Sequence, residues 1–126
     1  MNLNGVLIGS EDPGRLIAYY TKLFGEPSFE AEGYTSWRIG TGWITIGLHD
    51  QVHGTNVHPG RVIWNIETPD VRRDFERFVA AGATVVREPY DPGGPDEGPE
   101  MLIATFADPD DNYFQLLSPM EMDQGA

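Results

Sequence analysis

Alternating acids and an amide near the end of the chain are the first residues whose spacing could hold a metal ion. Asp108, Asp110 and Asn112 stand at alternate positions, as the first ligands of an EF-hand calcium loop do. Such a loop also needs glycine at its sixth position and glutamate at its twelfth, and these places hold Tyr113 and Pro119. The stretch is therefore not a calcium loop, and its acids need another explanation.

Histidines and a strand glutamate are the other candidates for chemistry. His53 and His58 lie in a polar, turn-rich segment with no spacing that would bring them together, so we interpret both as solvated loop residues. His49 or Glu67 could act as a general base in an apolar pocket. The sequence contains no nucleophile, base and orienting residue arranged as a set, so we predict no catalytic residues.

The composition excludes several classes of function. Cysteine is absent, which excludes disulfides, thiol catalysis and thiolate metal sites. The formal net charge of −12 argues against nucleic acid as a partner and favours a cationic ligand through long-range attraction. No apolar run is long enough to cross a membrane and none resembles a signal peptide, so we expect a cytoplasmic protein with no membrane partner.

The elements that must position any site come in two similar halves. Each half has a strand-like run, Asn4–Gly9 or Arg61–Glu67, followed by a helical pattern that ends at a glycine. The helices are marked by apolar residues on one face: Leu16, Tyr20, Leu23 and Phe24 in the first, and Val71, Phe75, Phe78 and Val79 in the second. The predicted N-caps with the prolines that follow them are Asp12 with Pro13 and Thr68 with Pro69.

Strand-like segments complete each half, at roughly 28–31, 35–39 and 42–49, and again at 84–88, 101–106 and 113–118. The sequence therefore predicts an α+β fold of two β-α-β-β-β modules in one domain over residues 1–126. The first module covers about 1–50, a linker about 51–60, and the second module about 61–120. Residues 91–100, rich in proline, glycine and acids, are predicted to form a mobile loop beside a cleft.

Strand alternation predicts which side chains face a ligand. The face packed under a helix is predicted to carry Ile44, Ile46 and Leu48 in the first half and Val62, Trp64 and Ile66 in the second. The opposite face then carries Trp43, Thr45, Gly47, His49, Ile63, Asn65 and Glu67. Such a mixture of apolar and polar groups suits a small-molecule pocket.

Two stretches give the sequence a family resemblance. The modules, together with A-Y-Y-T-K-L-F-G (Ala18–Gly25) and D-P-D-D-N-Y-F-Q-L (Asp108–Leu116), resemble the vicinal oxygen chelate superfamily. That superfamily includes glyoxalase I, extradiol dioxygenases, fosfomycin-modifying enzymes and bleomycin-resistance proteins. The resemblance implies that the modules form a cup-shaped mixed sheet. It also implies that the late acids form a turn, with Asp111 in place of the usual glycine.

The resemblance further implies four ligand positions for one divalent metal. Three of them fall at Gly5, Ile63 and Gln115, and the fourth falls near Gly47 or His49. Glycine has no side chain, isoleucine has no donor atom, and glutamine offers only a neutral amide oxygen. A divalent ion needs three or four charged or imidazole ligands, so we expect neither metal nor cofactor.

The resemblance to metal-free, antibiotic-binding members gives the leading hypothesis. We expect a homodimer that binds a bulky aromatic or cationic natural product and confers resistance by sequestering it, with aromatic side chains stacking on the ligand. The predicted ligand-binding residues are Leu7, Trp37, Trp43, His49, Ile63, Asn65, Glu67, Tyr90, Tyr113 and Gln115. Two alternatives stay open: a lyase, isomerase or dioxygenase with a metal bound elsewhere, and a regulatory or scaffolding module with a vestigial cup.

Overall fold

The computed structural model describes residues 1–94 and 100–119, and within them the fold is α+β. The helices are α1 (Pro13–Phe24) and α2 (Val71–Ala80), and a 3-10 turn covers Pro59–Arg61. The strands are β1 (Gly5–Ser10), β2 (Phe29–Ala31), β3 (Tyr34–Ile39), β4 (Gly42–Leu48), β5 (Ile63–Glu67), β6 (Thr84–Tyr90), β7 (Ile103–Ala107) and β8 (Tyr113–Leu117). The predicted order of elements, β-α-β-β-β twice, is confirmed. Of the predicted loop at 91–100, residues 95–99 lie outside the described residues.

The strands form two four-stranded mixed sheets with the same topology, β1-β4-β3-β2 and β5-β8-β7-β6. β1 pairs in parallel with β4, and β5 pairs in parallel with β8. The remaining pairs of strands are antiparallel. β1 and β5 are edge strands, and in the described part of the chain they do not pair with each other. One chain therefore does not form a single cup-shaped sheet. No helix in the described ranges is long and apolar enough to cross a membrane.

The two helices start in similar ways. In the first module, Asp12 precedes Pro13 at the N-cap, and the Ser10 hydroxyl accepts a hydrogen bond from the Asp12 amide at 3.0 Å. The Asp12 side chain itself makes no capping hydrogen bond. The sequence therefore located the start of α1 correctly, but the side chain that accepts the hydrogen bond there belongs to Ser10, two residues before the N-cap.

In the second module the predicted cap was wrong by two residues. The N-cap is Asp70, whose carboxylate accepts a hydrogen bond from the Arg73 amide at 3.1 Å. Thr68 makes the same contact as Ser10, because its hydroxyl accepts a hydrogen bond from the Asp70 amide, two residues later, at 3.2 Å. Pro69 consequently lies before the helix, not at its first position.

The strand faces were predicted correctly within the strands and incorrectly at their ends. Ile44 and Ile46 are buried, and Trp64 packs against the core. Leu48 and Val62, however, are 65% and 67% exposed. Leu48 is the last residue of β4, and Val62 lies between the 3-10 turn and β5, where strand alternation no longer fixes the side-chain direction.

Tyr20 of α1 joins the two modules within one apolar core. Its fully buried ring lies 6.3 Å from the Trp37 ring of β3 and 5.6 Å from the Phe114 ring of β8. Its hydroxyl donates a hydrogen bond of 2.7 Å to the Asp108 carboxylate, which belongs to the second module. The first helix is therefore tied both to its own sheet and to the sheet of the other module.

The late acids form a turn, as the resemblance implied. The Asp108 carboxylate accepts hydrogen bonds from the amides of Asp110 at 2.9 Å and Asn112 at 3.0 Å. Asp111 has a φ of +63°, the left-handed region that glycine adopts most readily. Asp110 in turn accepts from the Ser10 hydroxyl at 2.6 Å and pairs with Arg15 of α1. These carboxylates are thus structural acceptors.

Burial raises the pKa of Asp108, while hydrogen bonds from Tyr20 and Asn112 oppose that shift. The ordinary pKa of such a carboxyl is 3.8. When folding raises this pKa, the carboxyl contributes less to the stability of the fold as the pH rises from that value through the folded pKa. The Tyr20 hydroxyl limits this loss because it stabilises the charged form.

Tyr20→Phe should lower the free energy of unfolding by about 1.5–3 kcal/mol at pH 7, the usual value of a hydrogen bond to a charged group. The loss should shrink as the pH falls through the pKa of Asp108, because the protonated carboxyl no longer depends on that donor. Urea unfolding at a series of pH values measures both effects.

Tyr19→Phe is the matched control, because the neighbouring hydroxyl donates to the Ala107 carbonyl at 2.9 Å and not to a carboxylate. Its cost should stay constant over the same acid range. Equal pH profiles for the two variants would contradict the role given to the Tyr20 hydroxyl.

Asp111→Gly should stabilise the protein by about 0.5–1 kcal/mol. The left-handed conformation costs aspartate more free energy than the additional conformational entropy that glycine loses on folding. Asp111→Ala removes the same negative charge without easing the backbone, and we expect it to destabilise. Stabilisation by both variants in thermal unfolding would show that charge, not conformation, controls this position.

Candidate functional site

Each sheet has one face turned away from the core, which we call its open face. The first open face belongs to β1–β4 and carries apolar side chains that water reaches: Leu7 is 57%, Phe29 58% and Tyr34 45% exposed. The second open face belongs to β5–β8 and is more polar. Exposed apolar groups gathered on one sheet face are typical of a binding surface.

A hollow of about 490 Å³ lies on the first open face. Leu7, Phe29 and the Trp43 ring supply its apolar lining. Ser36 and Thr45 are also among its lining residues, with their hydroxyl oxygens 2.8 Å apart in a hydrogen bond. The hollow therefore combines aromatic surface with hydroxyl groups, as small-molecule sites do.

Cross-strand pairing arranges the open faces in rows. The first-module row runs across its sheet in the order Leu7, Thr45, Ser36, Phe29. The second-module row occupies the equivalent positions in the order Asn65, Gln115, Thr105, Arg87. The two rows match in position and differ in chemistry, because the outer members are apolar in the first row and polar in the second.

This internal symmetry also fixes the fourth ligand position implied by the superfamily. Gly5 of β1 pairs with Trp43 of β4, and Ile63 of β5 pairs with Tyr113 of β8 at the equivalent place in the second module. Two residues further along these strands, Thr45 is therefore the counterpart of Gln115. The sequence had placed this position near Gly47 or His49, two to four residues too late. Threonine offers only a neutral hydroxyl, a poor ligand for a divalent metal.

The residues at the four positions do not fit a divalent metal. At Gly5 a β-carbon would collide with the Trp43 carbonyl oxygen, so this backbone has no room for a side chain. The Gln115 amide nitrogen donates to the Thr105 hydroxyl at 3.1 Å. Among the described residues, no three histidines, aspartates or glutamates are placed to hold an ion.

Trp37 is a predicted ligand-binding residue that the structure places in the core. It is 1% exposed, and its indole nitrogen donates to the Gly25 carbonyl at 2.8 Å. The cause is register, because Trp37 lies opposite Ile44 on the buried face of the sheet. Trp43, one residue before Ile44 in β4, lies on the open face.

His49 lies at the end of the first open face, outside the lining of the hollow. Its side chain is 45% exposed, and its Nδ1 accepts a hydrogen bond from the Gln51 amide at 3.2 Å. His53 and His58 are exposed, in agreement with their interpretation as loop residues.

The remaining predicted residues share the second open face, as their strand positions show. They are Ile63, Asn65, Glu67, Tyr90, Tyr113 and Gln115. Apart from Trp37, which lies in the core, the structure therefore divides the predicted set between two open faces on separate sheets.

Arg87 and Phe29 were missed by the sequence analysis. Strict alternation along β6 fails because its pairing with β7 is irregular between Val85 and Arg87 and again before Tyr90. Phe29 lies in the three-residue strand β2, too short for a periodic signal. Only the pairing of neighbouring strands shows that Phe29 ends the first-module row and that Arg87 ends the second-module row at the equivalent position.

Solved structures with the same fold are numerous. A glyoxalase/bleomycin resistance protein/dioxygenase family enzyme from Burkholderia phytofirmans is 20% identical with a TM-score of 0.68, over 95% of this chain and 100% of that one. A glyoxalase-related enzyme from Fulvimarina pelagi is 21% identical with a TM-score of 0.68, over 97% and 94%. TioX from Micromonospora is 16% identical with a TM-score of 0.67, over 95% and 100%.

These structural similarities show the fold alone, and no protein of curated function matches the sequence. The profile of the glyoxalase-like domain matches residues 5–117, from the first residue of β1 to the last residue of β8. The chain therefore belongs to the glyoxalase-like domain family, within the vicinal oxygen chelate superfamily.

Proposed function

We propose that this protein binds a small molecule without a metal and confers resistance to a natural product, such as an antibiotic, by sequestering it. The observation that carries the proposal is the set of residues at the superfamily's ligand positions: Gly5, Thr45, Ile63 and Gln115. None of them has a charged or imidazole side chain, so the chemistry of a bound divalent ion has no support here.

The first open face supports binding in place of that chemistry. Trp43 and Phe29 line the hollow, and each well-placed aromatic pair with a ligand contributes about 0.5–1.5 kcal/mol beyond area burial. Leu7, on the edge strand β1, adds apolar surface at the opposite end of the row from Phe29. We therefore propose a bulky ligand with aromatic rings, held by stacking and apolar contact.

We infer that the functional form is a homodimer in which the first open face of one chain faces the second open face of its partner. β1 and β5 are edge strands whose backbone groups can pair with a further strand. Within one chain the helices hold the modules together, while the sheets stay separate. A dimer of this kind would enclose two equivalent sites, each with one row from each chain.

Sedimentation at several protein concentrations tests the dimer, and we expect the mass of two chains. The binding stoichiometry should then be two ligands per dimer, because the arrangement is symmetric. A monomer at all concentrations that still binds one ligand would contradict the shared site and leave the hollow as the whole site.

Ligand binding should change the fluorescence of Trp43, since Trp37 and Trp64 belong to the core. Trp43→Phe should abolish that change and weaken binding by up to about tenfold, the equivalent of one aromatic contact. Titration of a panel of antibiotics, including DNA-cleaving agents, provides the measurement, with calorimetry for the variant.

Trp64→Phe is the matched control, and its fluorescence response to ligand should persist. The same panel should reveal increased tolerance when the gene is expressed in a sensitive host. An absence of both binding and protection across the panel would overturn sequestration.

Purified protein dialysed against nickel, zinc, manganese and ferrous iron should retain no stoichiometric metal. About one ion per chain, lost in His49→Ala or Gln115→Ala, would instead support a metal-dependent lyase, isomerase or dioxygenase.

A further inference from the structure

The charge of the open faces differs from the charge of the whole molecule. The chain has 20 acidic and 8 basic side chains. The strand positions that pairing assigns to the two open faces nevertheless carry two arginines, Arg38 and Arg87, against one acid, Glu67. The irregular pairing of β6 assigns no partner to the acid beside Arg87, Glu88. The paired positions of the proposed binding surfaces are thus poor in acids for a strongly acidic protein.

The partners of these arginines set them apart from most other cations in the chain. Arg15, Arg72, Arg73 and Arg77 pair with carboxylates. Arg38 and Arg87 have no carboxylate partner within residues 1–94 and 100–119, and each lies over an aromatic ring instead. The Arg87 guanidinium carbon is 3.6 Å from the centre of the Tyr90 ring, and that of Arg38 is 5.7 Å from the Trp43 ring.

Arg87 is the better placed of the two to bind a ligand. The Arg38 Nε already donates to the Gly40 carbonyl at 3.1 Å. The Arg87 guanidinium lies over the Tyr90 ring, which covers one of its faces. The N–H groups along the edge of a guanidinium bind oxyanions with two parallel hydrogen bonds.

The second-module row adds further donors beside Arg87. Thr105, its cross-strand neighbour, is buried, and its hydroxyl accepts a hydrogen bond from the Gln115 amide at 3.1 Å. The Asn65 amide ends the same row. The row thus combines a guanidinium with two side-chain amides, which favours an anion, whereas the equivalent first-module row ends in Leu7 and Phe29.

We propose that the ligand is a planar aromatic acid. In the proposed dimer its oxyanion binds Arg87 in the second-module row of one chain, while its rings stack against the first-module hollow of the other chain. This inference rests on the proposed function and specifies its ligand class. The net charge of −12 had favoured a cation. Salt screens that long-range field beyond about 8 Å at physiological ionic strength, whereas Arg87 acts at contact.

Two fluorescent probes with one ring system test this inference: anilinonaphthalene sulfonate and its uncharged parent phenylnaphthylamine. The protein should bind the sulfonate about tenfold more tightly than the parent, as expected for a charge-assisted pair that is partly exposed. Arg87→Gln should remove that preference and leave the affinity for the parent unchanged. Arg87→Lys should restore only part of it, because lysine lacks the planar fork.

Lys22→Gln is the matched control, since it removes one positive charge from the exposed side of α1 and should alter neither affinity. Equal affinities for the two probes, an unchanged preference in Arg87→Gln, or tighter binding of the cationic dye proflavine would overturn the inference. In these cases the hollow still binds aromatic molecules and the proposed function stands. Binding of none of the three probes would contradict the proposed function itself.

Discussion

The hydrogen bond from the buried Tyr20 hydroxyl to the Asp108 carboxylate is the interaction on which the arrangement of the molecule depends. Burying a carboxylate is costly unless donors surround it, and Asp108 receives them from Tyr20, Asn112 and the backbone of its own turn. Because Tyr20 belongs to the first module and Asp108 to the second, satisfying this charge also fixes the two modules relative to each other. Arg15 and Asp110 reinforce the same junction.

Joining the modules through the helical side has a direct consequence for the sheets. The described strands make no ladder between modules, so both open faces and the edges β1 and β5 stay accessible in one chain. The acids that resemble a metal site in the sequence are used to build this junction. The paired positions of the open faces are consequently poor in acids and carry aromatic and amide groups, which is consistent with the binding function that we propose.

The sequence predicted the fold well because the signals were local. Helix periodicity, prolines and glycines placed α1 and α2, and β4 was predicted to within one residue of its observed end at Leu48. The misplaced cap shows the limit of such signals, since Thr68 and Asp70 are both good capping residues and only the hydrogen bonds distinguish them.

The candidate site depends on relations that no single segment contains. Trp37 and Trp43 look alike in sequence, yet the β3–β4 register buries the first in the core and leaves the second half-buried on the open face. The irregular pairing of β6 moved Arg87 onto the open face against simple alternation. Aromatic content therefore predicted that a pocket exists, while the identity of its polar half required the pairing of distant strands.

The divergence of the two rows provides the strongest physical argument about the ligand. Here the equivalent positions hold Leu7 and Asn65 at one end, and Phe29 and Arg87 at the other. In the proposed dimer, a molecule that contacts both rows would need an apolar, planar part for one and a polar, acidic part for the other. The aromatic acid that we propose as the ligand has this asymmetry.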